Sequence, residues 1–277
     1  MIGMASQQDV LARIADALER LAPQATTPTD WLSAPAYFWS GETVLPVRDI
    51  PALPLANLRG IDQQKAAVCA NLERLATGAA AHDMLLWGAR GMGKSALIRS
   101  AVSAVQAGAA GKLGLVQIAP DALLHFPALI AALSKQDRAF LLFVDDLGFG
   151  ADSAQENLAL RSLLDGGIVA RPGNIRIAVT SNRRAIVQRE ADEADAVHER
   201  DERDNALALA DRFGLTLGFH PCGRETYLEI VASYAEPLGL EVDAEEALAF
   251  AIARGNRSGR TAHQFACELA GRAGLTL

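Results

Sequence analysis

Eight residues constrain this chain more than any others: Gly88-Ala89-Arg90-Gly91-Met92-Gly93-Lys94-Ser95, a fit to GxxxxGK[ST]. They lie between a short apolar run, DMLLW, and a helical pattern, SALIRSAVSAVQAG, the strand–loop–helix setting that the mechanics of the motif require. Glycines there let successive backbone N–H groups turn inward as a cradle for phosphate oxygens, at a helix N-terminus whose dipole favours anions. Lys94 is one of only four lysines among 26 basic residues. Its ammonium is expected to neutralise the β- and γ-phosphates of a nucleotide, with the Ser95 hydroxyl facing Mg²⁺. A plain glycine-rich strand-to-helix turn is the bland alternative.

Fifty residues after Ser95 the run LLFVDDLGF ends an apolar strand in two acids. At the edge of a sheet beside phosphates, Asp145 is expected to hold Mg²⁺ through water. Asp146 is then placed to orient or deprotonate an attacking water. An acidic strand end capping the next helix is the structural alternative. Around these motifs, the runs DMLLW, LGLVQIA, AFLLFVDD and NIRIAVTSN alternate with helical patterns. The helical patterns are DQQKAAVCANLERLATG, closed by Gly78, then ALLHFPALIAALSKQ, opened by a Pro120–Asp121 cap, and ENLALRSLLDGG. Near-continuous apolar strands between helices predict an α/β fold, a parallel sheet covered on both faces.

The flanks read differently. A helix is expected from Gln7 to Leu21, ended by Pro23 and Pro28. The stretch Trp31–Trp39 gathers scarce aromatics, either to pack this segment onto the sheet or to form a partner surface. TVLPVRDIPALPLANL carries prolines that argue against a central strand and suggest a surface wrap. The segment QREADEADAVHERDERDN is dense in both charges and reads as a solvated loop or an exposed helix. Three helices close the chain, near 225–235, 244–254 and 260–270, with Asp243 and Glu246 as a capping box for the second. The expected division is an N-terminal arm at 1–50, a nucleotide-binding domain at 51–217 and a small helical lid at 218–277.

Composition excludes several classes. A net charge of −7 disfavours non-specific coating of nucleic acid, though it leaves a local basic face possible. Cys69, Cys222 and Cys267 are odd in number and far apart, so neither a disulfide framework nor a zinc ribbon is expected. His220-Pro221-Cys222 has no ligand partners at sensible spacing and reads as core or loop. No apolar run reaches membrane-spanning length, and a cytoplasmic protein is expected.

Taken together, LRGIDQQK, LLWGARGMGKS, LLFVDDLGF, VTSNRR, LADRFGL and GNRSGR resemble the AAA+ superfamily of P-loop ATPases. They are most similar to a bacterial family of predicted AAA+ ATP-binding proteins, itself similar to the helicase-loader and replication-initiator branch. The resemblance implies a three-layer fold and roles for single residues. Asn182 matches sensor 1, which helps place the lytic water, or is an ordinary Asn leaving a strand. Arg212 matches the arginine finger that reaches a neighbouring subunit's nucleotide, or pairs with a nearby acid such as Asp211. Arg260 matches the lid sensor of the γ-phosphate, with Arg257 as rival. Arg183 and Arg184 are further candidates to act across an interface. Leu58 and Ile61 match the apolar lining of the adenine pocket, or are plain core. The chain departs from most of the superfamily in having Asp146 where Glu is usual, which weakens hydrolysis as an inference.

The expected activity is ATP hydrolysis to ADP and phosphate, coupled to remodelling or loading of a macromolecular partner. The expected assembly is a homo-oligomer with an unidentified protein partner; nucleic acid is possible as a partner but unsupported by net charge. A nucleotide-dependent binding switch with little turnover is the alternative, and a P-loop kinase a weaker third.

Overall fold

The computed structural model describes residues 13, 29–108, 111–148, 154–165, 171–182 and 208–277. The chain divides into two compact units, Met1–Asp30 and Trp31–Leu277, and the description below concerns the second. The helix expected at 7–21 (except Arg13, which is helical), the charged segment 188–205, Arg183 and Arg184 lie outside the described residues.

One sheet of seven strands organises the unit: β1 (Ala36–Trp39), β2 (Val44–Val47), β3 (Met84–Gly88), β4 (Leu113–Ile118), β5 (Ala139–Val144), β6 (Ile175–Ser181) and β7 (Leu215–Phe219). Their order is β2-β1-β4-β5-β6-β3-β7, all parallel except the β1–β2 pair. β5 is buried along its whole length because it lies mid-sheet with both faces covered. Its side chains alternate: Phe140, Leu142 and Val144 join one core, Leu141 and Phe143 the other. The second core is filled by α1 (Asp62–Ala76) and α2 (Lys94–Gly108), through Leu72, Leu75, Leu97 and Ile98. The first takes in α3 (Phe126–Leu133) and part of α4 (Ala154–Asp165), through Phe126, Leu129 and Leu160.

Four strands fall where the apolar runs predict. The sheet also takes in residues that the sequence assigned to an accessory arm. β1 is an internal strand between β2 and β4, and three of the four aromatics of this stretch are core: Trp31, Tyr37 and Trp39 are 5%, 1% and 4% exposed, with Phe38 half-buried. Trp31 packs on Tyr37 at 4.9 Å between centroids, and Trp39 stacks on Phe126 at 6.4 Å. The rings therefore pack the segment down rather than present a partner surface. The proline-bearing stretch supplies only the edge strand β2, where Pro46 costs no internal ladder bond. β7 escaped the sequence reading because it is a half-exposed edge strand with no apolar run.

The helix expected to start at Pro120–Asp121 is a 3₁₀ turn, Pro120–His125, followed by α3. No side chain caps the turn. Pro127 lacks an N–H and stands in the first turn of α3, so the α-helical ladder starts there.

Three helices close the chain: α5 (Arg224–Ala235), α6 (Ala244–Ala253) and α7 (Gly259–Arg272), around a core of Tyr227, Val231, Ala247, Ala262 and Phe265. Asp243 caps α6 through the amides of Glu245 and Glu246, at 2.8 and 3.3 Å. Glu246 instead pairs with Arg272 on α7, so the expected box is a single cap plus an inter-helix tie. Ser258 caps α7 through the Thr261 amide at 3.2 Å.

Candidate functional site

β3 ends at Gly88 and α2 begins at Lys94, so the glycine motif turns from strand to helix at the carboxyl edge of the sheet. Gly88 has φ of +124°, and a side chain there would run into the Phe219 carbonyl at the end of β7. The Ala89 amide donates to that same carbonyl at 2.8 Å. At Gly91, φ +75°, a Cβ would stand 2.7 Å from the Ser258 hydroxyl and 3.1 Å from Arg260 Cβ. The Arg260 amide in turn donates to the Gly91 carbonyl at 3.2 Å. The loop is thus fastened to β7 on one side and to the start of α7 on the other, and both fastenings need glycine.

Lys94 is only 6% exposed. Its ammonium donates to the carbonyls of Gly88 and Ala89 at 2.9 and 2.8 Å, and to Asn182 Oδ1 at 2.9 Å. Burial pulls its pKa down to about 8, against the opposing pull of Asp146 and Asp145. Asn182 follows the last residue of β6, and its Nδ2 donates to the Asp146 carboxylate. The amide orientation follows from these partners: its oxygen faces a cation and its nitrogen an anion. Asp146 is the single non-glycine residue with positive φ among the described residues, at +57°. Asp tolerates that conformation better than most side chains, and it lets the two acids after β5 serve different partners.

Asp145 Oδ1 accepts from Ser95 Oγ at 2.5 Å and from Thr180 Oγ1 at 2.6 Å. Thr180 also accepts from the Asp146 amide at 2.8 Å. It was missed in the sequence although it stands in the quoted VTSN; the available signal was a hydroxyl two residues before the polar end of a buried strand. Ser95, Asp145 and Thr180 offer only oxygen, the donor type that Mg²⁺ takes together with waters, so the residues present fit that ion. Among the described residues there is no cluster of three His, Cys, Asp or Glu side chains of the kind that holds a softer metal.

These groups line a cleft of about 360 Å³. Leu58 and Ile61 line it and are themselves buried, at the side where Gly93 approaches both. Ile230, Tyr234 and His263 face it from the closing helices, residues to which the sequence gave no role. Arg260 lines the cleft. Its rival Arg257 lines a separate hollow with Pro221 and Cys222, and accepts the Cys222 thiol on its carbonyl at 3.3 Å. His220 stacks edge-on against Trp87 at 5.8 Å, as a packing residue. Arg212 does not reach the cleft of its own chain; it pairs with Asp165 at the end of α4, not with Asp211. Hydrogen bonding to that carboxylate raises the pKa of its guanidinium further.

No curated protein matches the chain. Solved structures do. Aeropyrum pernix ORC2, determined as ADPNP and ADP complexes, is 18% identical with a TM-score of 0.53, over 81% of this chain and 65% of that one. Aeropyrum pernix ORC1 in complex with DNA is 16% identical with a TM-score of 0.52, over 81% and 62%. A RuvB variant from Thermotoga maritima is 19% identical with a TM-score of 0.50, over 77% and 62%. The chain spans less than two thirds of each of these structures. Identities this low carry the fold alone, and that fold is the AAA+ P-loop fold. No described helix is long and apolar enough to cross a membrane. Residues 32–273 match the family described as a protein of unknown function, DUF815, and the chain belongs to that family.

Proposed function

We propose that this chain binds ATP in the cleft, together with Mg²⁺, and hydrolyses it to ADP and phosphate. The nucleotide cycle is coupled to remodelling or loading of a macromolecular partner. The observation that carries the reading is the chain of contacts Lys94–Asn182–Asp146 beside the Ser95–Asp145 pair. It gathers a buried cation, a polar amide and two carboxylates around a glycine loop at a helix N-terminus, the parts that phosphoryl transfer to water uses.

Residues Gly88 to Ser95 cradle the phosphates, and Leu58 and Ile61 hold the base. Ser95 and Asp145 hold the ion, which supplies neutralisation of phosphate charge. Asp146 accepts a proton from the attacking water or orients it, and Asn182 keeps that carboxylate in place. Arg260, fixed to the loop through its own amide, responds to the γ-phosphate from α7. The nucleotide-binding part runs from β1 through β7, in place of the expected 51–217, because β1, β2 and β7 belong to its sheet; the three closing helices form the lid. Arg212 serves the site of a neighbouring copy, so the active form is a homo-oligomer. Three free cysteines suit the reducing cytoplasm. A similar structure is described on DNA, which keeps nucleic acid among the candidate partners; the net charge of −7 favours protein.

A second reading, a switch with slow turnover, is favoured by one observation. Asp146 is a methylene shorter than the usual Glu and is held by Asn182. ATP turnover per subunit, measured across protein concentrations with Lys94→Ala as blank, separates the two. Turnover that climbs with concentration and disappears in Arg212→Ala supports the assembled ATPase. Near-blank turnover at every concentration, with nucleotide still bound, would leave the switch.

A further inference from the structure

Arg212 is held by two partners, one a carboxylate and one a backbone carbonyl. Its Nε donates to the Asp165 carboxylate and its NH1 to the Ala208 carbonyl, while the NH2 group has no hydrogen-bond partner among the described residues. Its side chain is one third exposed. Both supports adjoin the first core: Phe213 and Leu209 near the arginine are buried in it, and Leu160 of α4 is buried in that same core with Leu164 packed against it.

Asp165 is the last residue of α4. Its carboxylate is half exposed, and the hydrogen-bond partner it has is the Arg212 guanidinium. A free arginine side chain samples many rotamers, and two anchored N–H groups restrict that freedom before any ligand arrives.

We infer that Asp165 is the positioning residue for Arg212: it presets the guanidinium for the phosphates of a nucleotide bound to a second copy of this chain. The inference rests on the reading of Arg212 as the residue acting between copies. It assigns Asp165 a role in turnover although Asp165 touches neither the cleft nor the nucleotide.

The test uses the full chain with Asp165→Ala, Asp165→Glu, Arg212→Ala and the Asp165→Ala/Arg212→Ala double variant. ATP turnover is measured above the assembly concentration, and association by sedimentation with a non-hydrolysable ATP analogue. Asp165→Ala is expected to lower kcat about fivefold, the cost of re-ordering one flexible side chain, with KM unchanged. Asp165→Glu returns most of the rate. In the Arg212→Ala background, Asp165→Ala changes neither rate nor association, because the two act as one unit. Should wild-type turnover be too slow to resolve, the same pattern is read in the association constants.

A rise in turnover with Asp165→Ala would mean the carboxylate withholds the arginine, and overturns the inference. So would an equal loss in both backgrounds, the mark of a merely structural residue. If Arg212→Ala leaves both turnover and association at wild-type levels, the reading beneath it falls too. If Arg212→Ala is impaired and Asp165→Ala is not, only the inference fails.

Discussion

The two ends of the parallel sheet treat buried polar groups in opposite ways. At the amino ends of the strands, Arg138 donates to the carbonyls of Trp31, Ala34 and Leu113 at 2.8–2.9 Å. Asn174 donates to the Arg138 carbonyl at 2.9 Å, and Asp83 accepts the Ile177 amide at 2.8 Å while pairing with Arg171. These side chains close backbone that would otherwise be orphaned, and they tie β1 and its aromatics to β4 and β5. At the carboxyl ends Lys94, Asp145 and Asp146 are linked through the neutral side chains of Ser95, Thr180 and Asn182, around a loop whose glycines leave a cleft open. Both ends bury cations. Both donate to backbone carbonyls; Lys94 differs in its further bond to Asn182 and in the cleft left open beside it.

Asp146→Asn gives the largest expected effect on this contrast. Turnover falls by about 10³-fold, the worth of a positioned general base. Asn accepts the same left-handed backbone, so melting temperature and nucleotide affinity stay at wild-type values. A variant that instead melted early would show the carboxyl end to be as structural as the amino end, and the contrast would break. Arg138→Met tests the opposite end: three buried carbonyls lose their donor, and urea denaturation should show a loss of about 3 kcal/mol. Nucleotide affinity of the folded protein should not move. An affinity change there would mean that the two ends communicate.

The smallest effect is a pH dependence. Lys94 has a pKa of about 8, below its ordinary 10.5. Bound phosphates favour the charged form, so binding takes up protons once pH exceeds that value. Nucleotide affinity should be level below pH 7 and weaken above pH 8 by up to about tenfold per pH unit, read by titration calorimetry. Lys94→Arg should flatten the profile, since a guanidinium stays charged. Stability of the nucleotide-free protein has the opposite sign. Between about 8 and 10.5 the unfolded chain holds more protons at this residue than the folded one, so stability gains across that window. A melting temperature falling there at the Lys94-dependent step would contradict the burial of this ammonium.

The features legible along the chain are local ones. Glycine spacing from Gly88 to Ser95 fixed the strand–loop–helix turn, because positive φ and a phosphate cradle depend on a few consecutive residues. Unbroken apolar runs announced β3 to β6, because burial on both faces leaves no room for alternation. Asp145, Asp146 and Asn182 were legible as polar ends of those strands. The tertiary structure decided what depends on neighbours distant in the chain. Arg260 rather than Arg257 came to the cleft only once α7 packed on Gly91. Asp145 meets Thr180 across 35 residues and Asp165 meets Arg212 across 47, contacts that no periodicity encodes. β1 and β7 became strands because β4 and β3 offered open ladders, and their own patterns were too short or too polar to announce it. Backbone propensity acts over a turn or a strand; strand pairing and charge burial act between them, and only the assembled sheet sets those distances.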